Sequence, residues 1–488
     1  MTSRRTLLGT LPALFGADTA AAASARDYDV VVVGSGAAGL SAALEARKAG
    51  ARVLVVEKMG SIGGNSVISK GQVAVPCTPM QQKERLIDSP ELFADDMLNL
   101  GYVNNPDKVN FLARHALETF FWTQKELGVS WWEDRVEYDI GHSVRRCALV
   151  RTNSGTGLIF PLYERARTLG VELRVHSPVV GLLTDAEGAV TGVRVRTGGQ
   201  LQDISARSTV VCAGGFGADI ALRQMQNWRL SEHVGTTTQP GSTSEMLREC
   251  ARIGAWTIHL QYIHCIPEAS PDEKGWGSVW QFTRHCAATQ GVWIVRETGR
   301  RFVAETEAND VRTNAILDEV NAGRQCLAIA DARAVRHPRS VIFSADNVEE
   351  LVKRGLVRRY DTLEQLAADM EIPLEPLKET IEQYNSDLTS RLARDRMGRE
   401  IHRSNEPMSE APWYVSRFLP KVHLCGGGLS TDLSARVLSV VDDQPIPGLF
   451  AAGEITGGLH GIARLNSCGL LDALVFGRVA GKEAAKRI

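Results

Sequence analysis

The chain carries Asp29-Val-Val-Val-Val-Gly34-Ser-Gly36-Ala-Ala-Gly39 near its start and Gly448-Leu-Phe-Ala-Ala-Gly453-Glu454 near its end. A continuous valine run is the pattern of a parallel strand buried on both faces. The glycines after it permit a tight turn at Gly34, approach of the backbone to a pyrophosphate at Gly36 and close packing of the next helix at Gly39, with Ala38 in that helix's first turn. A second apolar strand, Arg52-Val-Leu-Val-Val-Glu57, ends in a carboxylate able to accept hydrogen bonds from an adenosine ribose, with Lys58 beside it. A glycine triplet alone marks many loops. Strand, triplet, helix and acid in this order predict a dinucleotide site, and the distant second segment reads as its other half.

With 488 residues and 44% hydrophobic content, the chain can supply more than one core. A formal net charge of -2 gives no field for nucleic acid or an anionic membrane, which favours a small-molecule substrate. The nine cysteines form no Cys-x-x-Cys and no Cys-x-x-Cys-His, so neither a metal cluster nor covalent haem is expected.

Arg4-Arg5 precedes an alanine-rich apolar stretch ending in Ala23-Ser24-Ala25. Residues 1–25 resemble a twin-arginine export signal, which predicts a periplasmic protein; the alternative is a disordered N-terminus. No other apolar run approaches the ~18 residues of a membrane span, so no integral membrane segment is expected.

After Gly63-Gly64-Asn65-Ser66 and Ser69-Lys70-Gly71-Gln72, the pattern is helical over residues 88–128. Strand-like segments return at 171–175, 179–183 and 190–195, the last two joined by a turn at Asp185-Ala-Glu-Gly188. Ser208-Thr-Val-Val-Cys212-Ala-Gly214 is a further buried strand running into a glycine turn. From about residue 258 tryptophans, charges and loops dominate, then helical segments over 363–392, and strand, turn and helix resume after about 421. The expected fold is α/β, a Rossmann-like domain interrupted by an α+β cap: residues 26–257 and 421–488 form the first, 258–420 the second.

These motifs, with Ala213-Gly214-Gly215-Phe216, Gly299-Arg300-Arg301-Phe302-Val303-Ala304-Glu305 and Gly453-Glu454-Ile-Thr-Gly457-Gly458-Leu-His460-Gly461, resemble a flavoprotein family. Its members include soluble fumarate reductases, succinate dehydrogenase flavoprotein subunits, urocanate reductases and 3-ketosteroid dehydrogenases. The resemblance implies FAD. Its binding residues would be Gly34, Gly36, Ala38, Gly39, Glu57, Lys58, Gly64, Asn65, Ser66, Gly71, Val179, Gly214, Gly453, Glu454, Ser467 and Leu470. Ser467 would start a helix aimed at the negative edge of the reduced flavin, or simply cap it.

For catalysis, the resemblance assigns Arg464 to a substrate carboxylate, a task suited to a bidentate guanidinium. The family's proton-delivering arginine falls on Asn309, whose amide has no ionisable proton; Glu307, Asp310 and Arg312 are neighbouring replacements. Ile266 stands where a histidine precedes proline, leaving His264 two residues earlier. His423 keeps the first member of a histidine pair whose second is Leu424, and Thr283-Arg284-His285 replaces a Thr-Glu relay. His264, His285 and His423 are candidate acids or bases, because histidine titrates nearest working pH, or else structural groups. Trp276, Trp280, Phe282 and Trp293 line an expected apolar pocket or pack the cap core.

The expected activity is hydrogen transfer across a carbon–carbon bond next to a carbonyl or carboxylate, with fumarate disfavoured as substrate. A reductase would draw electrons from a cytochrome c or a quinol-linked partner. The alternatives are a ketone or ketosteroid dehydrogenase, a flavin oxidase, and a noncatalytic electron-transfer flavoprotein.

Overall fold

The computed structural model describes residues 26–139, 141–337, 348–390, 393–402 and 404–487, so the expected export leader lies outside the described residues. The valine strand Tyr28–Val33 runs parallel between Val53–Val56 and Gln200–Val211, with Val30 opposite both Val53 and Ser208. Val30, Val31 and Val32 are wholly buried, since layers pack on both faces of this sheet. Glu172–Arg174 extends the sheet on one side. On the other, Pro445–Ala451 pairs in parallel with Gln200–Val211, and Arg436–Leu438 closes that edge antiparallel.

Val179–Thr184 and Val190–Thr197 form the expected hairpin, whose turn is tied by the Ala189 N–H donating to Asp185 Oδ1 at 2.8 Å. The helical stretch resolves into Pro90–Gly101 and Pro106–Leu127. Each begins at a proline in the first position, capped by Ser89 and Asn105 respectively.

The first helix, Ala37–Lys48, lies against the last, Cys468–Ala485. Their contact is backbone-close. A Cβ at Gly477 would stand 2.5 Å from the Ala38 carbonyl oxygen, and one at Gly481 2.1 Å from that of Ala42. Only small residues let two helices approach so nearly.

Between the two passes through the parallel sheet, the chain builds a five-stranded antiparallel sheet. Its order is Arg300–Arg301, Val292–Val295, Cys326–Asp331, Trp413–Arg417 and Arg358–Tyr360. One face packs Phe282, Trp293, Ile316, Tyr414 and Phe418; the other packs Leu377, Ile381, Tyr384 and Met408. The protein is therefore a Rossmann-like α/β domain interrupted by an α+β cap. The strand Ile263–Ala269 pairs antiparallel with Leu419–Cys425, so the chain leaves for the cap and returns from it side by side.

Phe282 and Trp293 are wholly buried in the cap core, which excludes them from a pocket wall. Trp293 donates its indole N–H to the Thr283 carbonyl at 3.1 Å and packs on Phe418.

Candidate active site

A cavity of about 510 Å³ runs over the glycine turn at the end of Tyr28–Val33. Gly34, Gly36, Ala38, Glu57, Lys58, Gly64, Asn65, Ser66, Val179, Gly214, Gly453, Glu454 and Leu470 line it, joined by His423 and Arg464. The geometry suits a dinucleotide. Gly34 sits at φ +103°, where a side chain would also strike the Cys212 carbonyl at 2.4 Å. At Gly214, φ +76°, a Cβ would meet nothing within 4 Å, because the space beyond it is the cavity. Gly36 has no side chain to cap the helix Ala37–Lys48, and with Ser66 Oγ accepting from the Ala37 N–H at 3.2 Å the remaining helix end is a positive site for a pyrophosphate.

Two carboxylates are fixed in this cavity. Glu57 accepts from the Ser35 N–H at 3.0 Å, the Ser35 hydroxyl at 2.7 Å and the Met59 N–H at 2.8 Å. Glu454 accepts from the Cys425 N–H and from Asn65 Nδ2, each at 3.1 Å. Asn65 is itself oriented by the Gln239 N–H and the Ser242 hydroxyl. Burial raises the Glu454 carboxyl above the ordinary carboxylate range, so a bound hydroxyl would relieve part of its lost solvation.

Three of the expected cofactor residues lie outside the cavity lining. Gly39 serves packing, since a Cβ there would stand 1.9 Å from the Gly34 oxygen. Gly71, at φ +70°, is pressed against Val150 and the Ser154 carbonyl. Ser467 adopts φ +64° and makes no side-chain cap; its hydroxyl donates to Asp139 Oδ2 at 3.0 Å. Asp139 also accepts from Asn466 Nδ2, and so pins the turn that starts the last helix.

The catalytic candidates divide into two groups. Arg464, His264 and His423 converge, and the Arg464 guanidinium disfavours a charge on either imidazole. His264 Nδ1 accepts from the Arg464 N–H at 3.3 Å, while its Nε2 is buried without a partner. His423 Nδ1 lies 2.7 Å from the Thr237 hydroxyl. Burial, with Arg464 nearby, pushes both imidazoles down to about 3. His285 falls to about 4, through burial and then Arg284 and Lys70. Burial and the neighbouring cations thus favour the neutral form of all three near pH 7.

Asn309 starts the helix Asn309–Asn321 and is not among the residues that line the cavity. Its carbonyl oxygen is taken by Arg312, which also pairs with Glu268 and lies over the Trp293 ring. Arg284 and His285 occupy a π-helical turn, Thr283–Ala287.

His460 and Asp472 form a further buried pair that no local sequence pattern marks. Both line the cavity; His460 Nε2 lies 3.3 Å from Asp472 Oδ2, and His460 Nδ1 and Asp472 Oδ1 are buried without partners. His460 belongs to the segment Gly457-Gly458-Leu-His460-Gly461, but its partner lies on the helix Cys468–Ala485. Lys108, buried and brought down to about 8 by burial, sits behind this pair on Thr431 and the Gly457 carbonyl.

Interrupted parallel sheet, glycine cradle and paired carboxylates define an FAD-dependent oxidoreductase. The chain belongs to the FAD binding domain family, whose profile matches residues 29–470. It is 34% identical over 472 residues to the acrylate reductase flavoprotein subunit of Shewanella woodyi, covering 94% of this chain and 91% of that protein. It is 33% identical over 463 residues to the urocanate reductase of Eggerthella lenta, with 94% and 75% covered. Among solved structures, the open conformation of a flavocytochrome c3 fumarate reductase superposes with a TM-score of 0.81 at 29% identity, covering 94% of this chain and 78% of that one.

Proposed function

We propose that the protein reduces a carbon–carbon double bond conjugated to a single carboxylate. The carrying observation is the asymmetry of the pocket: Arg464 lines the cavity, whereas Leu424 lines it where a second polar anchor would stand, and the Asn309 amide is held by Arg312. One guanidinium matches one carboxylate. The resemblance to acrylate and urocanate reductases supports this reading, since each of those acids carries one carboxylate on its double bond.

Bound FAD supplies the hydride chemistry. Arg464 holds the carboxylate bidentately and draws electron density toward it, which makes the β-carbon the electrophilic end. The His264 ring, with Nδ1 accepting from the Arg464 amide, carries its proton on Nε2 and holds the backbone that presents the guanidinium. A carboxylate arriving beside His423 offsets the charge of Arg464, which with burial holds that imidazole down, and so favours its protonated form. His423, oriented by Thr237, then holds a proton for the α-carbon.

The glycine cradle supports Gly34, Gly36, Gly64, Ser66, Gly214, Gly453 and Leu470 as backbone contacts of FAD, and Glu57 and Glu454 as acceptors of its hydroxyls. We assign export to residues 1–25 on Arg4-Arg5 and the Ala23-Ser24-Ala25 site, and electron supply to a separate carrier such as a cytochrome c or a quinol-linked protein. Among the described residues, no helix is long and apolar enough to cross a membrane.

The test is to photoreduce the purified holoenzyme anaerobically and add enoates, ketosteroids or oxygen. Rapid reoxidation by a monocarboxylic enoate is the expected result. Reoxidation by a ketosteroid alone, or by oxygen alone, overturns the reading.

A further inference from the structure

We infer that His460 and Asp472 form a proton-accepting pair in the wall of the cofactor cavity, which takes up one proton when bound FAD is reduced. The inference depends on FAD and not on the enoate reading, so either can fail alone.

Both residues line the cavity, together with Glu454 and Arg464. Asp472 stands one turn beyond Gly469 on the helix Cys468–Ala485, and a Cβ at Gly469 would come within 3.2 Å of Arg464 Nη1. The pair is thus built on the element that borders the guanidinium. His460 is 6% and Asp472 4% exposed, yet His460 Nδ1 and Asp472 Oδ1 have no hydrogen-bond partner. Buried polar atoms are normally satisfied, and two left open in one cavity wall leave room for a ligand atom or a proton. In the neutral ring, a proton on Nε2 faces Asp472 Oδ2 at 3.3 Å, which leaves Nδ1 as the bare acceptor.

The charges around the pair single it out among the imidazoles of the site. Asp472 lies within reach of Lys108, the buried ammonium that also faces Asp432 and, farther out, His259. On the other side, His460 is felt by Glu454 and His264, which Arg464 also reaches. Burial and the Arg464 guanidinium hold His264 and His423 unprotonated, whereas His460 lies against a carboxylate. An opposite charge at that distance favours the protonated ring.

Reduced FAD at neutral pH carries a negative charge, and here that charge arrives in a wall already holding Glu454 and Asp472. An uncompensated charge in a buried site is costly, and a proton on His460 supplies the compensation. Two electrons from a reduced carrier and one proton from solvent reduce the flavin. A second solvent proton adds to His460 Nδ1, forming an N–H bond and breaking none in the protein.

Midpoint potentials of the substrate-free holoenzyme, measured with reduced viologen and indicator dyes at a series of pH values around neutrality, test the inference. One proton per electron pair shifts the equilibrium tenfold per pH unit, about 30 mV, and two shift it a hundredfold, about 59 mV. The steeper slope is expected, with the reduced flavin keeping the absorbance of its anionic form. His460→Gln and Asp472→Asn are each expected to return the slope to about 30 mV per pH unit. The shallower slope in the parent protein overturns the inference, as does a neutral reduced flavin, which places the second proton on the cofactor. The steeper slope retained in either variant overturns it too. The first two outcomes need only the parent protein, and so decide the matter even where a substitution prevents FAD binding.

Discussion

The Nδ1 atom of His264 accepts a hydrogen bond from the backbone N–H of Arg464 at 3.3 Å. Two residues 200 positions apart are thereby locked into one unit: the bond selects the His264 tautomer and fixes the backbone that carries the guanidinium. Arg464→Ala is expected to lower kcat/KM for an enoate about 100-fold, the loss of a charge-assisted bidentate contact, while FAD stays bound. Steady-state kinetics with a flavin absorbance spectrum checks it. Arg464→Lys recovers only part, because an ammonium cannot make the paired contact.

His264 and His423 sit at about 3 against an unperturbed 6.5. Between those values the unfolded chain binds more protons than the folded one, so stability is fully present above pH 6.5 and is lost as pH falls toward 3. Thermal unfolding midpoints are expected to fall across that window, and less steeply in His264→Gln/His423→Gln.

Enoate binding is expected to take up protons on the acid side of neutrality, because the incoming carboxylate offsets the Arg464 charge that, with burial, holds the His423 imidazole down. Titration calorimetry in buffers of different ionisation enthalpy measures the uptake directly. A binding enthalpy independent of buffer contradicts it.

Glu454 is held by Cys425 and Asn65 with burial raising its carboxyl, ready to accept from a hydroxyl of the cofactor. Glu454→Ala is expected to weaken FAD about 10- to 100-fold, the cost of one hydrogen bond to a charged group. The flavin-to-protein ratio after gel filtration and the FAD dissociation constant report it.

Ser467 pays for φ +64° and recovers part through Asp139. Ser467→Ala is expected to destabilise by about 1 kcal/mol, losing the bond and keeping the strain. Ser467→Gly releases strain as it loses the bond, and is expected to fall nearer the parent protein in denaturant midpoint.

The valine run and its glycines were readable because local pattern and tertiary role coincide there: Val30 to Val32 are buried on both faces, and Gly34 needs its positive φ. The hairpin at Asp185 to Gly188 was readable for the same reason. What hid was everything decided by partners far along the chain. Trp280 and Trp293 look alike as sequence, yet one borders His285 and the other fills the cap core. Ser467 has the residue type of a helix cap, but its backbone turns left-handed and its hydroxyl goes to Asp139. The pairing of His460 with Asp472 depends on how a loop meets the last helix, and the depressed imidazoles depend on burial that no local pattern encodes.

The embrace of the first helix by the last, through Gly477 on Ala38 and Gly481 on Ala42, sets a timetable for the molecule's birth. The cradle at Gly34 to Gly39 leaves the ribosome well before the strand Pro445–Ala451 and the helix that completes its wall. Cofactor loading is therefore expected to wait for that later segment, since a nascent polypeptide stalled before residue 445 lacks Gly453, Glu454 and Leu470 of the cavity wall.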